Sequence, residues 1–163
     1  MTCSEKVQRA LDFAAEKHKG QMRIGGAEYI THPIAVCEIV KNQGLGEEYQ
    51  IAALFHDLLE DTNATEAEIL FYGDEAVLTA VKLLTKQKGY DMQEYINAIK
   101  KNKIAFAVKA ADRAHNLGCA LVADEDFKRK YLLETMQWYL DFSPEIKKAV
   151  KQLAESLDPP ILE

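Results

Sequence analysis

The chain has 163 residues, 48% of them hydrophobic, with 8 glycines and 4 prolines, which fits one globular domain over residues 1–163 and excludes a disordered chain. The formal net charge of -6 excludes a domain-wide positive field, so we expect neither nucleic acid nor a membrane as partner. Three cysteines without a C-x-x-C pair (Cys3, Cys37, Cys119), no signal peptide and no apolar run of about 18 residues predict reduced thiols in a cytoplasmic protein.

The first two predicted helices flank a glycine-containing loop. Ser4 is a suitable N-cap for a first helix that stops near Gly20. Proline is favoured at the first position of a helix, so Pro33 predicts a second helix from that residue to about Gln43. His32 is therefore expected at the mouth of the second helix.

The third predicted helix, Glu47 to Asp61, is apolar on all sides between Ile51 and Phe55. A helix of this kind is typical of a central, buried element. Its last turns carry the ionisable residues of the segment ALFHDLLEDT.

The remaining pattern is also helical, and only short runs such as AEYI are ambiguous. Thr65 with Glu68 predicts a capping box for a short helix, and Asn102 is expected to separate two later helices. Further helices are predicted from Asp74 to Lys86, from Asp91 onward, over residues 104–117, from Asp124 to Phe142 and from Pro144 to Leu157. One apolar row on the helix after Asp124 indicates core packing or a homo-oligomer face: Tyr131, Leu132, Thr135, Trp138, Tyr139 and Phe142. The fold class is predicted to be all-α.

Four ionisable side chains share one face of the predicted third helix: His56, Asp57, Glu60 and Asp61. Residues spaced i, i+1, i+4 and i+5 fall within one broad sector. Three acidic groups in that sector repel one another unless a cation lies among them. A solvated helix end is the ordinary alternative, but acidic residues at a helix C-terminus oppose the helix dipole. The pattern therefore favours a divalent cation.

A second polar group occurs in VKAADRAHNL, where Asp112, His115 and Asn116 share a helical face. If Asp112 meets His56 and Asp57, and His32 joins them, the site offers two imidazoles and two carboxylates. Such mixed ligands suit Mn²⁺, Fe²⁺, Zn²⁺ or another first-row ion. With positions left for water and substrate, this would be a hydrolytic site.

The order of these residues, His32, then His56-Asp57, then Asp112, resembles the signature of the HD-domain metal-dependent phosphohydrolases. The surrounding segments KHKGQMR, YITHPIAV, ALFHDLLEDT and VKAADRAHN resemble more narrowly the hydrolase domain of RelA/SpoT-type enzymes and the small alarmone hydrolases. The similarity extends from about residue 7 to about residue 140.

This resemblance implies an all-helical HD-domain bundle that holds one Mn²⁺ ion through His32, His56, Asp57 and Asp112. It implies removal of the 3′-pyrophosphate of (p)ppGpp, a small-molecule nucleotide, to give GDP or GTP and pyrophosphate. Glu60 and Asp61 match the pair that orients or deprotonates the attacking water. Arg23 matches an arginine that packs on the guanine ring, and Asn116 matches an asparagine that contacts the nucleotide.

The chain departs from the family at two places. Ile24 follows Arg23 where the family has a lysine, and Leu117 to Ala120 replaces the usual run after the asparagine. Four other basic residues could compensate but are interpreted as solvated surface groups: Lys19, Lys103, Lys109 and Arg113. Two alternatives stay open: another nucleotide or phosphorylated cofactor as substrate, such as a nucleoside monophosphate or NADPH, and a nucleotide-binding module without catalysis. A hydrolase unit without synthetase or regulatory domains is expected.

Overall fold

A computed structural model describes residues 4–159 of the chain, and Cys3 and Pro160 lie outside them. Ten helices occur in this range: α1 (Glu5–Lys17), α2 (Thr31–Asn42), α3 (Glu47–Phe55), α4 (Leu58–Asp61), α5 (Glu66–Tyr72), α6 (Glu75–Leu84), α7 (Met92–Lys100), α8 (Lys103–Ala120), α9 (Glu125–Trp138) and α10 (Pro144–Ser156). Within residues 4–159, Met22 and Glu28 also form an isolated antiparallel bridge. The predicted all-helical fold is confirmed.

The chain divides into two compact units, one that ends at Lys109 and one that begins at Ala110. The boundary falls inside α8. The single domain predicted from composition stays a prediction. Between residues 4 and 159 no helix is long and apolar enough to cross a membrane.

The first unit begins with the cap predicted for α1. The side chain of Ser4 accepts a hydrogen bond from the backbone N–H of Val7, and α1 ends at Lys17. The prediction for the start of α2 is wrong by two residues, because α2 begins at Thr31 rather than Pro33. The amides of Thr31 and His32 already donate to the carbonyls of Glu28 and Tyr29 (3.1 and 3.0 Å). This turn makes the residues before the proline helical, so His32 lies within the first turn of α2.

The prediction of one helix from Glu47 to Asp61 is also wrong, because α3 ends at Phe55 and a separate four-residue helix, α4, begins at Leu58. The core part of the prediction holds, since every residue of Ile51–Phe55 is at most 1% exposed. The break has a local cause. The ring Nδ1 of His56 lies 2.6 Å from the carbonyl oxygen of Ala53, the acceptor that an uninterrupted helix would offer to the amide of Asp57.

The caps of the later helices follow the sequence closely. Thr65 and Glu68 form the predicted capping box of α5. Asp74 and Asp91 accept from the backbone at the starts of α6 and α7. α6 ends at Leu84 instead of Lys86, because Thr85 is extended and its hydroxyl donates to the carbonyl of Val81 (2.7 Å).

The second unit contains the remaining part of α8 together with α9 and α10. α9 ends at Trp138, four residues before the predicted end. Four residues of the apolar row are buried, as core packing requires: Leu132, Thr135, Tyr139 and Phe142. Cys119 is exposed, whereas Cys37 of the first unit is buried.

The interpretation of Arg113 as a solvated surface residue is wrong, because only 3% of the residue is exposed. Its guanidinium carbon lies 4.3 Å from the ring centroid of Tyr131 and 4.1 Å from that of Tyr139. One guanidinium nitrogen donates to a carboxylate oxygen of Glu134 at 2.7 Å. Burial alone would lower the pKa of Arg113, but Tyr131 and Glu134 outweigh it and raise the pKa above its usual value. Arg113 is therefore a compensated charge inside the second unit.

Candidate metal centre

Three of the predicted ligands come together in the first unit. α2 contributes His32, and the break between α3 and α4 contributes His56 and Asp57. One ligand atom from each residue lies within 4.8 Å of the other two. His32 and His56 are buried and Asp57 is half-buried, so the cluster is shielded from solvent on much of its surface.

The hydrogen bonds of His56 fix which ring nitrogen faces the cluster. A carbonyl oxygen cannot donate, so the 2.6 Å contact with Ala53 places a proton on Nδ1. Nε2 of His56 then lies 3.1 Å from Oδ2 of Asp57. In the neutral ring these are two lone-pair-bearing atoms that face each other, and such a pair is favourable only with a proton or a cation between them.

The donor atoms of this cluster fit a divalent first-row metal ion. Two imidazole nitrogens and one carboxylate oxygen are ligands common to Mn²⁺, Fe²⁺ and Zn²⁺. The imidazoles of His32 and His56 have centroids 5.3 Å apart with planes at 71°, so their nitrogens approach a common point from different directions. A metal held there would be able to activate a water molecule.

Glu60 and Asp61, the predicted catalytic pair, point to different partners after the helix break. A carboxylate oxygen of Glu60 accepts from the backbone N–H of Lys86 at 2.6 Å. Asp61 is an exposed residue, yet partial burial of its carboxylate, followed by repulsion from Asp57 and Glu60, raises its pKa from 3.8 to about 6. The pKa of Asp61 is thus raised in part by its proximity to Asp57 of the cluster.

Three residues around the cluster were missed as functional candidates: His18, Gln21 and Tyr29. The hydroxyl of Tyr29 donates a hydrogen bond to Oδ2 of Asp57. The ring of His18 packs on that of Tyr29 with centroids 4.8 Å apart. All three residues lie within the segments KHKGQMR and YITHPIAV. Their position in these segments was the feature of the sequence that could have marked them as site residues.

Gln21 ties His18 to the end of α4. Its side-chain nitrogen donates to the backbone carbonyl of Asp61 at 2.8 Å, so its oxygen is the atom 2.7 Å from Nδ1 of His18. The proton of His18 therefore lies on Nδ1, and within residues 4–159 its buried Nε2 has no hydrogen-bond partner. Burial is the main cause that lowers the pKa of His18, which keeps this imidazole neutral.

The predicted substrate contact in this unit, Arg23, lies in the turn between α1 and α2. Its guanidinium carbon is 6.0 Å from the ring centroid of Tyr29. Ile24, the departure from the family pattern, is 80% exposed. An apolar side chain thus projects into solvent directly beside the predicted base-contacting arginine.

Asp112 and Asn116 belong to the second unit, and both lie on α8. The side-chain nitrogen of Asn116 donates to Oδ1 of Asp112 at 3.3 Å, and Asp112 is buried. Their spacing on one helical turn agrees with the sequence pattern. The predicted roles of Asp112 as metal ligand and Asn116 as nucleotide contact stay predictions.

Comparison with known proteins points to one family. A family model described as HD domain matches residues 10–143. The guanosine-3′,5′-bis(diphosphate) 3′-pyrophosphohydrolase of Aquifex aeolicus is 35% identical over 144 residues, which are 83% of this chain and 21% of that protein. The bifunctional (p)ppGpp synthase/hydrolase SpoT of Escherichia coli K12 is 35% identical over 146 residues, with the same coverage of 83% and 21%. This chain thus spans about a fifth of the length of these curated relatives.

A solved structure resembles the chain over nearly its whole length. It belongs to a metazoan ortholog of SpoT that hydrolyzes ppGpp, and it covers 98% of this chain and 95% of its own. The TM-score is 0.70 at 24% sequence identity. A likeness at this level of identity supports the all-helical fold.

Proposed function

The chain belongs to the HD domain family, and from that membership we propose that it is a metal-dependent hydrolase that removes the 3′-pyrophosphate of (p)ppGpp. The reaction consumes one water molecule, breaks the bond between the ribose 3′ oxygen and the pyrophosphate, and gives GDP or GTP together with free pyrophosphate. Curated relatives that carry this activity in their names support the choice of substrate.

The observation that carries the proposal is the contact between Nε2 of His56 and Oδ2 of Asp57, 3.1 Å apart. With the Nδ1 proton committed to Ala53, the contact is favourable only with a proton or a cation between the two atoms, and we propose that a metal ion takes this place. We propose that His32 completes this part of the site and that Asp112 is the fourth ligand. Mn²⁺ is the proposed ion, and when bound it would supply a water molecule of lowered pKa.

Asp61 is the proposed proton acceptor for the attacking water. A general base works best when its pKa lies near the operating pH, and in the metal-free protein burial of the Asp61 carboxylate is the main cause that raises its pKa to about 6. Glu60 is tied to the amide of Lys86, which suits a role in holding α4 in place. Arg23 and Asn116 are the proposed contacts of the guanine nucleotide.

The direct test is to incubate the purified chain with ppGpp and Mn²⁺ and to measure pyrophosphate and GDP. We expect equimolar formation of the two products, loss of both after metal chelation, and loss of both in Asp57→Ala. The absence of product across several divalent metals and pH values would refute the proposal.

A second candidate keeps the metal chemistry but changes the substrate to another nucleotide or phosphorylated cofactor, such as a nucleoside monophosphate or NADPH. The exposed Ile24 favours it, because the family places a cation there, and Arg113 is occupied by Glu134 and cannot replace that cation. A panel of these substrates at equal concentration separates the two candidates. A kcat/KM for ppGpp far above all others would remove the second one, whereas binding without turnover of any substrate would indicate a nucleotide-binding module.

A further inference from the structure

Tyr29 lies at the end of a tight turn that connects α1 to α2. The turn is closed by backbone hydrogen bonds from Arg23 to Ala27 (2.7 Å) and from Gly26 to Arg23 (3.0 Å). Gly25 and Gly26 have φ values of 102° and 95°, which a residue with a side chain rarely adopts. Tyr29 donates its own backbone N–H to the carbonyl of Gln21 (2.8 Å), so its position at the start of α2 is fixed by the main chain.

The side chain of Tyr29 contacts the metal cluster at two points. Its hydroxyl donates to Oδ2 of Asp57, the same oxygen that faces Nε2 of His56 at 3.1 Å. Its ring meets that of His32 in an edge arrangement, with centroids 6.0 Å apart. One tyrosine therefore touches a carboxylate and an imidazole of the cluster.

A hydrogen bond to this oxygen has a specific consequence for a metal ligand. A carboxylate oxygen carries two lone pairs, so Oδ2 can accept from Tyr29 with one and present the other toward His56. Without the hydroxyl, the Asp57 side chain gains rotational freedom that metal binding must remove again. Groups that orient ligands in this way typically change metal affinity by about 10–100-fold when they are removed.

The ring of Tyr29 is itself held by neighbouring groups. The neutral imidazole of His18 packs on it, and His18 is bound through Gln21 to the backbone of Asp61. His18 and Gln21 therefore connect the ring of Tyr29 to the last residue of α4 and hold its hydroxyl next to Asp57. These contacts limit the motion of the Tyr29 ring, as a residue that positions another side chain requires.

We propose that Tyr29 is a positioning residue of the metal centre, which orients Asp57 through its hydroxyl. The role of Tyr29 can be tested by measuring the affinity of the protein for Mn²⁺, and this measurement does not require the substrate to be known. The proposal rests on the proposed metal site, but it does not depend on (p)ppGpp being the substrate.

The test is titration of the metal-free full-length chain with Mn²⁺ by calorimetry, for wild type and for Tyr29→Phe. We expect the dissociation constant to rise about 10–100-fold in Tyr29→Phe, with an unfolding midpoint of the metal-free protein close to that of wild type. The matched control is Tyr72→Phe, because the ring of Tyr72 stacks on Phe13 (4.4 Å) and is not part of the cluster. It should bind Mn²⁺ as wild type does.

Activity provides the second measurement. At a Mn²⁺ concentration that saturates wild type, Tyr29→Phe should lose activity, and more Mn²⁺ should restore most of it, which a purely structural defect would not allow. Equal Mn²⁺ affinities of wild type and Tyr29→Phe would overturn the proposal. Weaker Mn²⁺ binding in Tyr29→Phe, together with a wild type that releases no pyrophosphate from ppGpp, would support the role of Tyr29 and refute only the proposed substrate.

Discussion

Two buried polar clusters of this protein differ in how their charges are compensated. In the second unit, the guanidinium of Arg113 is sandwiched between two tyrosine rings and paired with Glu134. In the first unit, His56 and Asp57 present acceptor atoms to each other across 3.1 Å. The arginine cluster contains its own counter-charge, whereas the contact between His56 and Asp57 is favourable only with a proton or, as we propose, a metal ion between the two atoms.

This difference shows that burial of charge does not by itself mark a functional site. Arg113 is as deeply buried as the histidines of the metal cluster, with 3% of its surface exposed against 1% for His32 and 5% for His56. The distinguishing property is the charge that each buried group faces: Arg113 lies against the carboxylate of Glu134 and two aromatic rings, whereas Nε2 of His56 faces the carboxylate of Asp57 with an acceptor atom when the ring is neutral. Variants in each cluster should therefore affect different quantities: metal affinity and catalysis in one, and folding stability in the other.

The largest effect is expected for Asp57→Ala, which removes a ligand of the metal cluster. Mn²⁺ affinity should fall by more than the roughly 100-fold that is typical for loss of an orienting group, and ppGpp hydrolysis should fall to background. Calorimetric titration with Mn²⁺ measures the first quantity. Asp12→Ala, at an exposed residue of α1, is the control. If Asp57→Ala kept full activity, the cluster of His32, His56 and Asp57 would not be a catalytic metal site.

Asp61→Asn should cause the next largest effect, a fall in kcat of about 10²–10⁴-fold. The amide cannot accept a proton, but it keeps the size of the side chain. Mn²⁺ affinity should change much less than in Asp57→Ala. Steady-state kinetics at saturating Mn²⁺ and ppGpp checks this. A kcat near that of wild type would assign proton transfer to another group.

Arg113→Met should destabilise the fold by about 2–4 kcal/mol, because it removes two cation–π contacts of about 0.5–2 kcal/mol each as well as an ion pair. Urea unfolding of the metal-free protein measures the change. Arg9→Met is the control, since Arg9 forms an exposed 2.8 Å ion pair with Glu5 and its loss should cost at most about 0.5 kcal/mol. A loss of Mn²⁺ affinity as large as that of Asp57→Ala would contradict a purely structural role.

The raised pKa of Asp61 predicts a pH dependence of stability. Its carboxyl binds a proton more tightly in the folded metal-free protein, with a pKa of about 6, than at the ordinary value of 3.8. The unfolding free energy therefore decreases as the pH rises between these values, and the loss is complete above about 6. Asp61→Asn should consequently be more stable than wild type at pH 7, by a margin that disappears near pH 4. Urea midpoints at both pH values test this, and a margin independent of pH would contradict it.

The smallest effect is expected for Ile24→Lys, which restores the cation that the family carries at this position. An exposed charge of this kind contributes about 0.5–1 kcal/mol, so the KM for ppGpp should fall about two- to fivefold and the gain should shrink at high salt. Ile24→Gln tests the loss of the apolar group without the charge. Equal KM values for the two variants would show that charge at position 24 is not used.

The helices were largely predictable from the sequence because their signals are local. Ser4, Thr65, Asp74 and Asp91 all accept backbone hydrogen bonds at the starts of helices, as the sequence predicts. The break after Phe55 was not predictable. Apolar spacing continues through it, and the competing bond from the His56 ring to Ala53 depends on a side-chain rotamer.

The candidate site was predictable in its residue types and less so in its hydrogen bonds. His32, His56 and Asp57 were predicted as ligands and lie together. Tyr29 and Gln21 were not assigned roles, because a tyrosine or glutamine in a loop carries no signal of what its side chain will reach. The burial of Arg113 was missed for a related reason: its partners Tyr131 and Glu134 lie on α9 and Tyr139 directly follows it, so spacing within α8 does not indicate them.

The interruption between α3 and α4 has a consequence for protein engineering. In an uninterrupted helix, any change that rotates the buried part also rotates every residue beyond it. Here α4 has attachments of its own: Leu58 is fully buried, Glu60 accepts from the amide of Lys86, and the carbonyl of Asp61 accepts from Gln21. A substitution that shifts α3 should therefore be resisted at α4 by these contacts, and changes made for thermostability are best placed away from Ala53, whose carbonyl orients the ring of His56.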